Sequence, residues 1–438
     1  MSGAALGLCT QHSGARAKAA ASGSKTLANR LLEAFCIVGL PPSDLTIYKM
    51  ILTQCAVCAT DLGLTRGKKC GRCSTRYCGP ECQAQHWKEG GHDTLCKPIK
   101  KAGGAEQYNA NKKYAEAVAA AVEKCAEDTK GQTCFICTQA LHWKTKEGLV
   151  RGCSCRGTAG FAHVSCLVEQ AKILCAEAEE NNLGNEVENE RFERWHTCSL
   201  CERRYHGVVQ CALGWACWKT YVGRPETDRL QKSAMSVLGN GLLASEHYDD
   251  AVSVYESQLS MQRRLGSSAY SILITQSNLA STYGTLGRLV EASRIQRDVY
   301  SGHVKLNGDE HIETLGVGSN YASSLVVLKR FEEAKAVLRK VMPVARRVLG
   351  ESHGLTLRMR VIYTDALYRD PATTLADVRE AVETLVEMER TARRVLGSAH
   401  PMLELIEYNL RKARAALAAR EGVESIREGV EAMTPGDA

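Results

Sequence analysis

Two small metal-organised modules followed by an all-helical solenoid is the fold class that this sequence predicts. Three observations predict it. All 20 cysteines lie at or before Cys217, so the 438-residue chain divides into a thiol-rich front and a thiol-free back. Most of those cysteines fall in two clusters, residues 55–96 and 134–201, at spacings that zinc sites use. From about residue 230 apolar residues recur at helical spacing and the chain repeats itself, with Gly266, Gly308 and Gly350 at equal steps of 42.

The first cluster reads "CAVCATDLGLTRGKKCGRCSTRYCGPECQAQHWKEGGHDTLC". It offers four ligand pairs: Cys55/Cys58, Cys70/Cys73, Cys78/Cys82 and His92/Cys96. A C-x-x-C pair brings two sulfurs to about 2.3 Å from one zinc. The other two pairs have i,i+4 spacing, which sets both ligands on one face of a helical turn. Eight ligands make two closed tetrahedral sites with no position left for substrate, and closed sites are structural. His86 competes with His92 for the last position.

The C-x-x-C pairs, "RYC" at 76–78, "CQAQHW" at 82–87 and the closing His92-x3-Cys96 together resemble the MYND zinc finger. That resemblance implies interleaved sites. One would use Cys55, Cys58, Cys78 and Cys82, the other Cys70, Cys73, His92 and Cys96. It also implies binding of short, often proline-containing peptides. Tyr77 and Trp87 are either an apolar contact surface for such a peptide or support for a very small core.

The second cluster runs C-x2-C at Cys134 and Cys137, C-x-C at Cys153 and Cys155, then His163-x2-Cys166, and closes with Cys198-x2-Cys201. This order, with seven residues between Cys155 and His163, resembles the RING-CH domain. The resemblance implies a cross-brace in which Cys134 and Cys137 pair with His163 and Cys166, and Cys153 and Cys155 with Cys198 and Cys201. The region is expected to be too short and polar to build a core of its own. Metal binding would then supply its folding energy, roughly 10–16 kcal/mol per structural zinc.

RING modules of this kind act as ubiquitin ligases, so the resemblance implies a ubiquitin-conjugating enzyme as partner. Ile136, inside "CFIC", matches the family's contact residue, and Leu200, inside "CSLC", would add to the surface. The family often carries an aromatic four residues after the ligand that corresponds to Cys166. Here that position is Gln170, and Trp195 is either its replacement or a core residue beside the second zinc. Cys9, Cys36, Cys125, Cys175, Cys211 and Cys217 remain, with structural burial as the expectation.

Residues 1–50 read as a tail, partly disordered or helical. Residues 104–128 are rich in Ala, Lys and Glu and favour a helix linking the two modules. Residues 202–229 read as a helical extension, with "CALGWACW" at 211–218 buried against the finger. In the repeat region, 230–418, "RRVLGESH" at 346–353 returns as "RRVLGSAH" at 393–400. Here "NLASTYGTLGRLVEA" at 278–292, "NYASSLVVLKRFEEA" at 320–334 and "LGSAHP" at 396–401 resemble tetratricopeptide repeats of the kinesin-light-chain type. That family presents a concave surface to a peptide or protein. His311, His353 and His400 recur at one repeat position and are expected to be turn or packing residues. Residues 419–438 read as a polar tail.

Composition narrows the functions. The formal charge of +7 suggests nucleic acid, but fourteen zinc-bound thiolates and four Zn2+ ions would bring it near +1. Neither finger carries a helix patterned to read bases. No apolar run is long enough to cross a bilayer, and no signal-peptide core stands near the N-terminus. Regularly spaced cysteines then read as zinc ligands, with cytoplasm or nucleus as the expected location. No phosphate loop, serine-nucleophile elbow or open metal site is present. The reading is a zinc protein carrying four ions. It is expected to act as a RING-type ubiquitin ligase or, alternatively, as a non-catalytic protein-interaction scaffold.

Overall fold

The computed structural model describes residues 55–58, 60, 62, 66–396 and 401–433. The predicted N-terminal tail, Cys9, Cys36, His400 and the last five residues lie outside the described residues. The architecture is cysteine-rich modules followed by a helical solenoid. The chain forms two compact units, one ending at Thr282 and one beginning at Tyr283.

The first unit opens with a short antiparallel hairpin, β1 (Lys68–Lys69) and β2 (Arg76–Tyr77), in register Lys68 to Tyr77. Two helices follow, α1 (Pro80–Lys88) and α2 (His92–Ala102). Pro80 suits the first turn of α1, where its missing N–H is no loss. Gly103 at φ 100° ends α2. Helix α3 (Ala105–Cys125) comes next, then the loops of the second cluster, then α4 (Val164–Glu180), α5 (Gly184–Phe192) and a 3₁₀ turn, Glu193–Trp195. Helices α6 (Gly207–Tyr221), α7 (Arg229–Ala244) and α8 (Tyr248–Arg264) complete the unit up to α9 (Ala269–Thr285), which runs across the boundary.

One sequence expectation changes here. The second cysteine cluster does have an apolar core, because α3 and α6 supply it. Val118, Ala121 and Cys125 of α3 and Val209, Ala212 and Leu213 of α6 pack with Leu149, Val150, Phe161 and Leu167. The helix expected over 104–128 is therefore also a packed wall of this module. The acidic stretch before Trp195 finishes α4 and forms α5. Arg224 reaches back to Glu179 through two hydrogen bonds of 2.6 and 3.0 Å, and Arg229 pairs with Glu188.

Helix α6 is buried almost all round, from Val209 through Trp218 to Tyr221, as a helix enclosed by neighbours must be. It crosses α7 at two glycines. A Cβ on Gly241 would meet the Gln210 carbonyl at 2.8 Å, and one on Gly214 would meet Leu238 Cα at 3.1 Å. The backbones thus touch directly.

The second unit continues with α10 (Leu289–Asn307), α11 (Ile312–Val327), α12 (Phe331–Leu349), α13 (Gly354–Arg369), α14 (Leu375–Leu396) and α15 (Pro401–Met433). The 42-residue period is visible in its turns. Gly287 (φ 76°) and Lys329 (φ 60°) stand in the left-handed region, and the next amide closes the turn, Arg288 to Tyr283 O at 2.9 Å and Arg330 to Leu325 O at 2.8 Å. His311 and His353 cap the helices that follow, their Nδ1 atoms accepting from Glu313 N at 3.3 Å and Leu355 N at 3.2 Å. Ala322, Leu325, Ala334, Leu338 and Met359 fill the space between α11, α12 and α13. Val378, Leu385, Ile406 and Leu410 do the same for the last helices. Helix α15 continues into the expected polar tail, as far as Met433. Arg420 holds it by donating to the carbonyls of Thr373 and Asp370 at 2.5 and 2.6 Å.

Candidate metal centres

Three C-x-x-C turns share one backbone pattern. The amide of the first cysteine donates to the carbonyl five residues on: Cys70 to Thr75 (2.8 Å), Cys134 to Gln139 (3.0 Å) and Cys198 to Arg203 (2.9 Å), a bond that Cys55 also makes to Thr60 (2.8 Å). The residue after the second cysteine donates back to the first cysteine's carbonyl, from Ser74, Thr138 and Glu202. These three residues stand at φ 62°, 60° and 53°, which non-glycine residues rarely adopt. The turn also aims amides at sulfur: Ile136 N and Leu200 N each lie 3.4 Å from the Sγ of Cys134 and Cys198. Amides aimed at sulfur favour the thiolate, which is the form that binds metal.

In the first module the ligand atoms gather into two groups, Cys55/Cys58/Cys78/Cys82 and Cys70/Cys73/His92/Cys96, each with all its donor atoms within 4.8 Å of one another. Strand β2, between Cys73 and Cys78, carries the chain from the second site to the first, which is what interleaves them. Sulfur separations are 3.4 Å for Cys58–Cys78, 3.5 Å for Cys78–Cys82 and 3.9 Å for Cys70–Cys96. Tetrahedral zinc with bonds near 2.3 Å sets sulfurs about 3.8 Å apart, so the groups fit that ion. His92 is fully buried, with Nε2 3.4 Å from Cys73 Sγ. His86 is not in either group; its Nδ1 pairs with Tyr77 Oη at 3.0 Å. Tyr77 is wholly buried between His86 and His92, so it supports the module and offers no contact surface. Trp87 is exposed.

The second module gathers Cys134/Cys137/His163/Cys166 and Cys153/Cys155/Cys198/Cys201. His163 faces its cysteines through Nδ1, 3.3 Å from Cys137 and 3.6 Å from Cys166. Its Nε2 lies 3.3 Å from the Ala140 carbonyl, which fixes the tautomer that leaves Nδ1 free for a metal. The two histidines thus present different ring nitrogens. Glu147 accepts from Ser165 N at 2.7 Å and Ser165 Oγ at 2.9 Å and so holds the first turn of α4. Gly160, at φ 83°, lies against Cys153 and Cys155.

The thiols of a group oppose one another's ionisation. The Cys153 hydrogen bond draws Cys198 down to about 4, and Cys198 together with burial pushes Cys153 well up. A dication removes that conflict for all four sulfurs at once.

A further turn of the same shape was not legible in the cysteine pattern. His142 N donates to Glu147 O at 3.0 Å, Lys146 N donates to His142 O at 2.9 Å, and Lys146 stands at φ 59°. His142 and Thr145 occupy the two cysteine positions, and His142 Nδ1 accepts from Thr145 N at 3.1 Å. A histidine and a threonine joined to each other replace a ligand pair here. Its signal was the spacing "HWKTKE" and nothing stronger.

Of the residues expected to meet a partner, Ile136 is 38% and Leu200 51% exposed. Trp195 is 0% exposed and packs edge-on against Tyr221 at 5.9 Å. Of its two readings, a contact-surface aromatic or a core residue, the structure has the core one, because the 3₁₀ turn delivers Trp195 inward against α6. Cys125, Cys175, Cys211 and Cys217 are buried outside all four groups.

Comparison with known families agrees with the two ends of this description. Residues 55–96 match the MYND finger, and residues 272–313 and 314–354 match the tetratricopeptide repeat. Both are protein-interaction modules. The chain is similar to the solved structure of a putative kinesin light chain from Podosopora anserina with nearly identical TPR-like repeats, at 23% identity over 48% of this chain and 96% of that one, with a TM-score of 0.37. A singly substituted form of that same protein matches at 19% identity over 54% and 99%, with a TM-score of 0.38. BtubC (BKLC) from P. vanneervenii matches at 14% identity over 59% and 92%, with a TM-score of 0.33. Comparison with curated proteins gives no match. No helix among the described residues is long and apolar enough to cross a membrane.

Proposed function

We propose that the chain is a RING-type ubiquitin ligase that holds four structural zinc ions in the cytoplasm or nucleus. The second module recruits a ubiquitin-conjugating enzyme, while the MYND finger and the repeats hold the protein to be modified. One observation supports this above the rest. The cross-braced grouping of Cys134, Cys137, His163 and Cys166 leaves Ile136 exposed on the turn beside them. The chain does no covalent chemistry in this scheme. It positions a thioester near a lysine, and effective concentration accelerates transfer. A second reading, a non-catalytic scaffold, is favoured by the inward place of Trp195 and by the half-buried Gln170, which leave the aromatic position unfilled. Full-length protein with verified zinc content, mixed with activating enzyme, a panel of conjugating enzymes, ubiquitin and ATP, separates the two. Chain formation that Ile136→Ala abolishes supports the ligase. Inactivity across the panel supports the scaffold.

A further inference from the structure

An open cleft of about 440 Å³ lies between α2 and α3, lined by residues that follow the MYND finger's last ligand, Cys96. Its floor is apolar, formed by Pro98 and by Tyr108, which packs on the finger's core. Exposed Leu95 stands one turn before Pro98 and extends this stripe along α2. Lys101 from α2 and Lys112 from α3 line the cleft, both exposed, and neither makes an ion pair among the described residues. Asn111 accepts one hydrogen bond at Oδ1 from Gln107, which leaves its amide protons to a visitor.

We infer that this cleft binds a polypeptide segment in which acidic residues flank apolar ones. The apolar side chains lie on Pro98 and Tyr108, the carboxylates meet Lys101 and Lys112, and the Asn111 amide reaches a main-chain carbonyl. Lysine suits this role as a mobile point charge that follows a carboxylate on a flexible segment. The stripe between the two charges argues against a phosphate backbone, which would need charge without an apolar seat. The inference goes beyond the ligase reading and does not depend on ubiquitin transfer, so the two fail separately.

Fluorescence anisotropy of the zinc-loaded full chain tests it. The probe is a labelled synthetic peptide in which glutamates flank leucines. Comparison probes carry serine for leucine, phosphoserine for glutamate, or a single-stranded oligonucleotide of equal charge. The expected result is saturable binding of the first peptide that weakens with salt. It falls roughly tenfold or more in a Lys101→Glu, Lys112→Glu double variant and stays unchanged in a Lys130→Glu control. The serine probe binds more weakly, and a phosphoserine probe that binds as well supports the inference by showing that any anionic side chain beside the leucines serves. No binding of the glutamate–leucine peptide, equal binding by the double variant, or tighter binding of the oligonucleotide overturns the inference. Both lysines are exposed, so loss of fold does not confuse the outcome, and zinc content of each variant is measured alongside.

Discussion

Gly160→Ala should damage the second module far more than the same change three residues earlier. Both Gly157 (φ 62°) and Gly160 (φ 83°) stand in the left-handed region. Alanine there costs about 1–2 kcal/mol, offset by ~0.4–1 kcal/mol from the stiffer unfolded chain. At Gly157 the added methyl meets nothing within 4 Å, so the net cost is about 1 kcal/mol. At Gly160 it would stand 2.6 Å from Cys155 Cβ and 3.0 Å from the sulfurs of both Cys153 and Cys155. Ordinary carbon contacts are about 3.5–4.0 Å, so the ligand pair must retreat by about 1 Å. Overpacking adds roughly 1–3 kcal/mol, giving a total of about 2–4 kcal/mol. A retreat of that size is large against a zinc–sulfur bond, so the site should also lose its ion. Thermal unfolding and native mass spectrometry of both variants provide the check. Equal midpoints and equal zinc content in the two variants would refute the placement of Gly160 against the ligands.

Other consequences can be measured in the same way. Gly241→Ala should destabilise the α6–α7 crossing by about 2–3 kcal/mol through its contact with the Gln210 carbonyl, read by chemical denaturation. His311→Ala and His353→Ala remove helix caps and should each lose about 1 kcal/mol. Lys335, paired with Asp370 at 3.0 Å and with Glu332, is nearly inaccessible, so Lys335→Ala strands a buried carboxylate and should lose about 3 kcal/mol. Burial, the largest single influence, pushes Asp370 up, but the Lys335 ammonium, the Ala372 amide and Thr373 together outweigh it and hold the carboxyl below its ordinary 3.8. Burial likewise opposes the charge on Lys335, and its two carboxylate partners raise it above 10.5. The pair's contribution should therefore be full between those values. It should fade below pH 3.8 as Asp370 protonates and above 10.5 as Lys335 loses its proton. A pH-dependent melt of Lys335→Met, Asp370→Asn that keeps both falling limbs unchanged would count against it.

Spacing carried much of this fold. The C-x-x-C pairs and the 42-residue step are local, so turns and repeat helices are legible from residue types alone. The choice between His86 and His92 was open because the gap from Cys82 to His92 is slightly long for the finger it resembles. What decides it is Tyr77, whose hydroxyl takes His86. Which ring nitrogen faces the cysteines depends on the Ala140 carbonyl, a loop atom with no signature. The core shared by α3, α6 and the second module escaped notice for a related reason. Helix periodicity shows which face is apolar but not which element covers it. Trp195 illustrates the same limit: a three-residue turn decides whether an aromatic points to solvent or to Tyr221.

Native mass spectrometry of the full chain, before and after exhaustive chelation and alongside hydrogen exchange, tests the central claim most directly. Four zinc ions should be found. On their removal the amides of residues 55–96 and 134–201 should lose protection, while those of α10–α15 keep it. Two or fewer ions, or a front half that stays protected without metal, would contradict the account.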